Sequence, residues 1–224
     1  MKYLKMIALS SIALLFGSQV AFAESAKDLS DGESKDLEHE INELMKQELE
    51  GTVEIGSDAN VVFEDVSIDL DQSTLEEYDY DKEKIFKLFQ EHADEIKNGF
   101  DIEVLEIEAP EANEDEIGTQ SIVKKRGYYI AKVWMGVPAI GHGYVNQDFN
   151  ATKGSNNRIT NLKLLGSSYA TGITLGGWTH NRSWTEVRHS TADIRMKGVI
   201  HYVFKGSPIR ISATFKKTFK RSDL

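Results

Sequence analysis

Apolar side chains recur at every second residue in the last third of the chain, and this period constrains the fold more than any other feature. In residues 194–205, Ile194, Met196 and Ile200 alternate with a largely basic set that includes Lys197. Residues 210–216 repeat the pattern. A period of two residues is that of a β-strand with one buried side. The sequence therefore predicts two long strands, each with an apolar side and a largely cationic side.

Other segments after residue 120 are also rich in β-branched and aromatic residues, and turn-forming residues separate them. Strands are predicted at 127–134, 158–165 and 169–175, and turns at 135–143, 150–157, 176–177, 179–183 and 205–208. Several short strands at this spacing, in about a hundred residues, are typical of a β-sandwich or a small barrel. Residues 121–224 are therefore predicted to be an all-β domain.

Residues 34–110 predict a small α/β unit. Apolar residues at spacings of three and four predict a helix from Ser34 to just before Gly51, and a second one that begins after Asp81. Residues 62–70 and 100–107 alternate as strands do. The unit is predicted to run helix, strand, helix, strand. The predicted fold class of the whole chain is α+β, with this unit followed by an all-β sandwich or small barrel.

The two predicted parts carry opposite charge. From residue 24 to 118 there are 32 acids and 7 bases, which gives −25, whereas residues 119–224 have 4 acids and 17 bases, which gives +13. The polar residues 111–120 between the two parts are predicted to be an exposed linker. Such a division indicates two units that have different partners, or two units that partner each other.

The first residues have the form of a secretory signal peptide. Two lysines precede the apolar run 6–16, and the small residues Ala21 and Ala23 predict cleavage after Ala23, so that residues 1–23 are removed. Residues 24–33 have few apolar side chains and are predicted to be a flexible N-terminus. No second long apolar run follows. We therefore expect a secreted, extracellular protein with no transmembrane segment after cleavage.

The composition excludes several kinds of chemistry. The chain has no cysteine, which removes disulfides, thiol nucleophiles and zinc–thiolate sites. A secreted chain without disulfides is more typical of bacterial export than of a small animal secreted domain. The nucleophile, phosphate-loop and dinucleotide motifs are missing as well, so no cofactor is predicted. No metal ion is predicted, because the histidines match no recurring ligand spacing.

Residues 176–190 hold the densest cluster of polar and aromatic side chains. A carboxylate, a histidine and an arginine are what a metal-independent ribonuclease needs for acid–base catalysis and for binding phosphate. The candidates are Glu186 with His180 or His189 as the acid–base pair, and Arg188 or Arg182 for the phosphate. The other interpretation is a β-hairpin with exposed polar residues, and the sequence favours it because no fixed spacing defines such an enzyme.

Basic residues crowd the last two predicted strands and the C-terminus. The predicted polyanion-binding residues are Lys197, Lys205, Arg210, Lys216, Lys217 and Lys220. A cationic sheet face attracts polyanions such as anionic lipid headgroups, wall teichoic acids or nucleic acid, and salt weakens the attraction. The alternative is a solvated face whose charge only keeps the protein soluble.

Three functions follow from these features. The preferred one is a secreted bacterial binding protein without enzymatic activity, whose basic domain contacts anionic polymers or an envelope surface. The second is the proprotein of a cationic antibacterial factor, in which residues 24–118 are an acidic prosegment that neutralises the basic part until a protease cuts the linker. The third is a small secreted ribonuclease-like enzyme that uses Glu186 and His189. The uncleaved binding protein is preferred because a charged linker is not by itself a cleavage signal.

Overall fold

A computed structural model describes residues 31–55, 57–99, 127–137, 141–154, 158–174 and 176–224. The described elements are α1 (Asp31–Leu49), β1 (Gly51–Ile55), β2 (Ala59–Ile68), α2 (Gln72–Glu77), α3 (Lys82–Gly99), β3 (Gly127–Val137), β4 (Gly141–Lys153), β5 (Ile159–Thr174), β6 (Gly177–Arg188), β7 (Thr191–Phe204), β8 (Ser207–Lys220) and a final 3-10 turn (Arg221–Asp223). The predicted signal peptide, the predicted linker and the strand expected at 100–107 lie outside the described residues.

The strands form two antiparallel sheets. The order in the five-stranded sheet is β1-β2-β8-β7-β6, and in the three-stranded sheet it is β3-β4-β5. Strand β2 belongs to the acidic part of the sequence, yet it pairs with β8 of the basic part over nine residue pairs, from Ala59↔Lys217 to Ile68↔Ile209. The α+β class with mostly antiparallel strands is as predicted. The sharing of one sheet by the two oppositely charged parts was not predicted.

Strands β7 and β8 show the alternation expected from the sequence. In β7, Ile194, Met196 and Ile200 are buried, while Arg195 and Lys197 on the other side are partly exposed. The two strands pair over their whole length. Lys205 and Gly206 connect them with φ angles of 52° and 84°, as a two-residue type I′ hairpin requires.

The two long helices agree with the predicted helices except at one end. Helix α1 begins at Asp31, so Ser34 lies inside the helix and does not cap it, and residues 31–33 of the predicted flexible N-terminus are helical. The predicted cap of α3 is confirmed, because Asp81 Oδ1 accepts a hydrogen bond from the backbone N–H of Lys84 at 3.2 Å. None of the helices in the described ranges is long and apolar enough to cross a membrane.

The helices and the three-stranded sheet both pack against one face of the five-stranded sheet. On α3, the Phe89 ring lies 5.8 Å from that of Phe204 in β7. On β4, the Phe149 ring lies 4.9 Å from that of Phe219 in β8. Phe204 and Phe219 point to the same face, because the pairing register aligns even positions of β7 with odd positions of β8. The buried apolar residues form one continuous cluster, so the acidic and basic parts share a hydrophobic core as well as a sheet.

Three strands were not predicted, and a fourth is longer than expected. No element was expected at β1, and β4 and β6 contain many polar residues or glycines, which indicated turns or a polar cluster. Residues 179–183, expected to be a turn, lie within β6 at a register shift between His180 and Arg182. The strands expected at 158–165 and 169–175 are one strand, β5, which passes through Gly166 at a φ of 66°.

We predict that stability falls as the pH is lowered from 7 to 5, because the fold favours neutral His92. This residue of α3 is 1% exposed. Its Nε2 lies 3.0 Å from the Tyr202 hydroxyl, and its ring stacks on Phe204 at 3.6 Å. Burial lowers the pKa of His92, although Glu95, 3.6 Å from Nδ1, acts in the opposite direction. As the pH falls, His92 is therefore protonated at a higher pH in the unfolded chain than in the folded protein.

The contribution of neutral His92 is complete above about pH 6.5 and is lost as the pH falls below that value, with a slope of up to about 1.4 kcal/mol per pH unit. Urea unfolding at pH 5, 6 and 7 measures how the free energy of unfolding depends on pH. The variant His92→Gln keeps a polar side chain that does not titrate, so its unfolding free energy should depend less on pH in this interval. An unchanged slope in the variant would contradict the assignment.

Candidate functional site on the outer face of the five-stranded sheet

The face of the five-stranded sheet that points away from the core, called the outer face below, carries two adjacent rows of basic residues. In one row the register places Lys216 of β8 beside Arg195 of β7, and Arg195 beside Trp184 of β6. In the next row Lys197 lies beside Arg182. Neighbouring rows on one face are about 7 Å apart. Four cations from three strands therefore lie in the row of Trp184 or in the row next to it.

Arg182 and Trp184 are two residues apart in β6 and lie on the same side of it. The Arg182 guanidinium carbon is 5.4 Å from the centroid of the Trp184 ring, within the range of a cation–π contact. Arg182 is exposed and Trp184 is half-buried. A guanidinium held over an aromatic ring keeps its edge available for an anion, because the ring occupies only one of its faces.

Acids of β2 reach this face and neutralise part of it. Glu64, at a bulge between Phe63 and Asp65, forms an ion pair with Lys197. The Thr214 hydroxyl donates a second hydrogen bond to Glu64 at 2.5 Å. Partial burial acts to raise the pKa of Glu64, but the bonds from Lys197 and Thr214 outweigh it and lower the pKa. The predicted cationic side is therefore of mixed charge where β2 borders β8.

Lys205 lies in the β7–β8 turn, at the edge of the sheet. Its ammonium is 2.7 Å from a carboxylate oxygen of Glu77 and 5.9 Å from the ring centroid of Tyr78, both contributed by the acidic part. The hydrogen bond to Glu77 raises the pKa of Lys205. The structure therefore places Lys205 in a contact between the two parts of the chain.

Lys217 does not belong to the outer face, which corrects its assignment as a polyanion-binding residue. The residue is 3% exposed and lies on the core side of β8, where its ammonium is 2.5 Å from Asp58 Oδ2. The Asp58 carbonyl also accepts a hydrogen bond from the backbone N–H of Thr218 at 2.6 Å. A buried, paired ammonium cannot contact a polymer in solution without unfolding this end of β8.

The remaining predicted polyanion-binding residues are Arg210, Lys216 and Lys220, which lie on the outer side of β8. Arg210 and Lys220 are exposed and Lys216 is half-buried. Their side chains form no ion pair with any residue in the described ranges. Among the described residues of the outer face, these three cations and Arg182 are the positive charges that no acid pairs with.

Glu186 lies on the outer face, in a network with two arginines. Its carboxylate is 3.2 Å from Arg188 Nη2 and 3.5 Å from Arg195 Nη2. Beside it, Asp193 is 1% exposed, accepts a hydrogen bond from the Thr218 hydroxyl at 2.7 Å, and pairs with Arg188 at 3.2 Å. The network compensates a buried carboxylate and orders strands β6 to β8.

His180 points to the opposite side of the sheet from Glu186, so these two residues do not form the predicted acid–base pair. The His180 Nδ1 atom is 2.7 Å from the Ser168 hydroxyl, which also accepts a hydrogen bond from Trp178 Nε1 at 3.0 Å. These contacts connect β5 to β6. His189 is exposed in the β6–β7 turn, and no hydrogen bond or ion pair joins its side chain to Glu186 among the described residues.

A cavity of about 330 Å³ lies between α1 and β2. Acids dominate its polar lining, which includes Glu43, Glu50, Glu64 and Asp65 beside Lys46. Its negative charge does not suit an anionic ligand. In the described ranges there is no group of three or more His, Cys, Asp or Glu side chains that could hold a metal ion.

No protein-family model, curated protein sequence or solved structure matches this chain. The arrangement of its residues is therefore the basis for inferring a function. Sequence reasoning missed Asp58, Glu64 and Glu77, the acids that pair with predicted polyanion-binding lysines. The excess of acids in residues 24–118 was the available signal, but it does not say which acids the β2–β8 pairing brings to which lysines.

We predict that Asp58→Asn lowers the free energy of unfolding by about 2 kcal/mol, because it leaves the buried Lys217 ammonium without its ion-pair partner. This value is below that for a fully buried pair, because the Asp58 side chain is 41% exposed. Lys217→Met should cost less than Asp58→Asn, because it removes the buried charge and keeps the apolar stem. Urea unfolding of the two single variants and the double variant measures the coupling between the residues. If the loss of unfolding free energy in the double variant equals the sum of the two single losses, the ion pair contributes nothing to stability.

Proposed function

We propose that the chain is a secreted protein without enzymatic activity that binds anionic polymers of a cell envelope through the outer face of the five-stranded sheet. The observation that carries the proposal is the position of Arg210, Lys216 and Lys220 along the outer side of β8, with Arg182 two strands away. None of these cations forms an ion pair with a described residue. Side chains on rigid strands hold the charges at fixed spacings, as recognition of a repeating polyanion requires.

The same face explains why we expect moderate, salt-sensitive binding. Glu64 and Glu186 lie among the cations and reduce the local positive potential. The formal charge of the whole chain is −10, so long-range attraction of a polyanion to the protein is weak or absent. Binding must then depend on short-range contacts with the outer face, and exposed charges in such contacts are screened at physiological ionic strength.

We predict that the variant Arg210→Gln/Lys216→Gln/Lys220→Gln elutes from immobilised wall teichoic acid and from heparin at lower salt than the parent protein. Each lost contact with an anionic group should also reduce the slope of log affinity against log salt concentration, by roughly 0.7 to 0.9. Elution in a sodium chloride gradient and affinity measured at several salt concentrations test both expectations.

A matched control removes the same charge from another surface. Lys35, Lys84 and Lys87 are exposed on α1 and α3, and their replacement by Gln should leave elution unchanged if the outer face is the binding surface. If both triple variants elute at equally reduced salt concentrations, binding depends on net charge alone, which would contradict the proposal. Retention that does not weaken with salt would contradict it as well.

The second candidate, a precursor with an acidic prosegment, is favoured by the ion pairs between the two parts. Lys197, Lys205 and Lys217 of the basic part pair with Glu64, Glu77 and Asp58 of the acidic part. The acidic part thus covers half of the six lysines and arginines that were predicted to bind polyanions. Its removal would expose those cations, as the precursor hypothesis requires.

Cleavage alone would not separate the parts, however, because β2 is an inner strand of the sheet and α3 covers Tyr202 and Phe204. We predict that a protein cut once between residues 99 and 127 remains a complex of two fragments. The fragments should elute together in gel filtration under native conditions and separate in about 6 M urea, where such contacts are lost. Intact mass of the secreted protein shows whether cutting occurs, and separation of the fragments without denaturant would overturn this prediction.

A further inference from the structure

The face of the three-stranded sheet that points away from the core, called the aromatic face below, combines rings with polar groups on all three strands. The alternate residues Tyr129, Val133 and Phe149 are buried in the core, so the residues between them point the other way. The aromatic face contains Tyr128, Lys132 and Trp134 of β3, Tyr144 and Asp148 of β4, and Tyr169 of β5. Each of these is half-buried or exposed.

One carboxylate fixes two of the rings. Tyr128 donates a hydrogen bond to Asp148 Oδ2 at 2.5 Å, and Tyr169 donates one to Asp148 Oδ1 at 2.9 Å. The hydrogen bond to Asp148 raises the pKa of Tyr128, and burial, followed by the bond to Asp148, raises the pKa of Tyr169 to about 12. Both hydroxyls are therefore protonated donors at neutral pH. The two rings are held in place before any ligand binds, which reduces the entropy lost on binding.

The other two rings lie in the row next to that of Tyr169. Trp134 and Tyr144 face each other across β3 and β4, and the Lys132 ammonium is 5.8 Å from the Tyr144 ring centroid. Asn146 lies between Lys132 and Tyr169 in the row of Tyr169, and it is 1% exposed. Its Nδ2 donates to the Thr171 hydroxyl at 2.9 Å, while its Oδ1 has no hydrogen-bond partner among the described residues. A buried acceptor without a donor costs free energy that a donor from a ligand hydroxyl can recover.

We propose that the aromatic face binds a polysaccharide whose sugars carry carboxylate or phosphate groups. Each face of a sugar ring presents C–H groups that pack on aromatic rings, and its rim presents hydroxyls for polar partners, which is the combination found on this face. The charge is complementary too. The exposed Lys163 of β5 adds a cation to the face, whereas the carboxylate of Asp148 already accepts two hydrogen bonds from tyrosines.

This inference rests on the proposed function in that both assign an anionic polymer as ligand, and it narrows the polymer to one built from sugars. The two surfaces lie on different sheets and differ in what they recognise. The outer face of the five-stranded sheet responds to charge and therefore accepts any polyanion. The aromatic face requires sugar rings, so its contribution should persist at salt concentrations that suppress the charge contacts.

The test compares polygalacturonate, an acidic polysaccharide, with polyphosphate, a polyanion without sugars, on the full chain. We expect Tyr144→Ala/Tyr169→Ala to bind polygalacturonate at least about tenfold more weakly than the parent, because two stacking surfaces are lost. The matched control Tyr144→Phe/Tyr169→Phe keeps both rings and should stay within about threefold of the parent. Polyphosphate binding should be the same for all three proteins. Isothermal titration calorimetry measures the affinities, and thermal unfolding verifies that each variant is folded.

The outcomes separate this inference from the proposed function. Parent-like binding of polygalacturonate by the alanine variant overturns the inference, as does failure of the parent protein to bind polygalacturonate. An equal loss of affinity for polyphosphate in the alanine variant would also overturn it, because the aromatic rings would then contribute to binding of a polymer without sugars. The proposed function fails instead if the substitutions of Arg210, Lys216 and Lys220 leave polyphosphate binding unchanged. Self-association that the alanine variant loses would assign the aromatic face to a second copy of the chain and contradict the inference.

Discussion

The pairing of β2 with β8 is the interaction on which the rest of the structure depends. It places a strand of the acidic part at an inner position of the five-stranded sheet, and its register brings acids of that part to lysines of the basic part. The bulge at Glu64 brings a carboxylate to Lys197, and the start of β2 brings Asp58 to Lys217. Backbone hydrogen bonds provide the attachment, and the alternating burial of β2 specifies which residues face each other.

The charged residues of the acidic and basic parts therefore have two roles. Some of them form pairs between the parts, of which the exposed ones add little stability and the one with the buried Lys217 adds more. Among the other basic residues, Arg210, Lys216 and Lys220 lie on the outer side of β8. The few acids of residues 119–224 are occupied within that part: Asp148 binds two tyrosines, Asp193 and Glu186 bind arginines, and Asp223 accepts a hydrogen bond from the Lys220 backbone N–H.

The sequence predicted those elements whose residues alternate or repeat strongly. Helix α3 with its Asp81 cap and the strands β7 and β8 are examples, because their apolar residues recur at the period of a helix or of a strand. It did not predict β4, in which Asn146 and Gln147 are buried and form hydrogen bonds that no periodicity reveals. For the candidate site, the sequence indicated a basic sheet face but neither the acids that pair with its lysines nor the burial of Lys217. Lys217 resembles its neighbour Lys216, and only the register shows that one is buried and the other is not.

The register of β2 also has a kinetic consequence. Asp58 and Lys217 are 159 residues apart in the sequence, so the central pairing of the sheet joins one of the first strands to the last one. Contacts between residues so distant in sequence form slowly, because the entropy of closing a long loop is lost before the contacts compensate for it. The five-stranded sheet cannot be completed until the C-terminal strand has been synthesised. The acidic part therefore cannot complete its sheet before β8 is available.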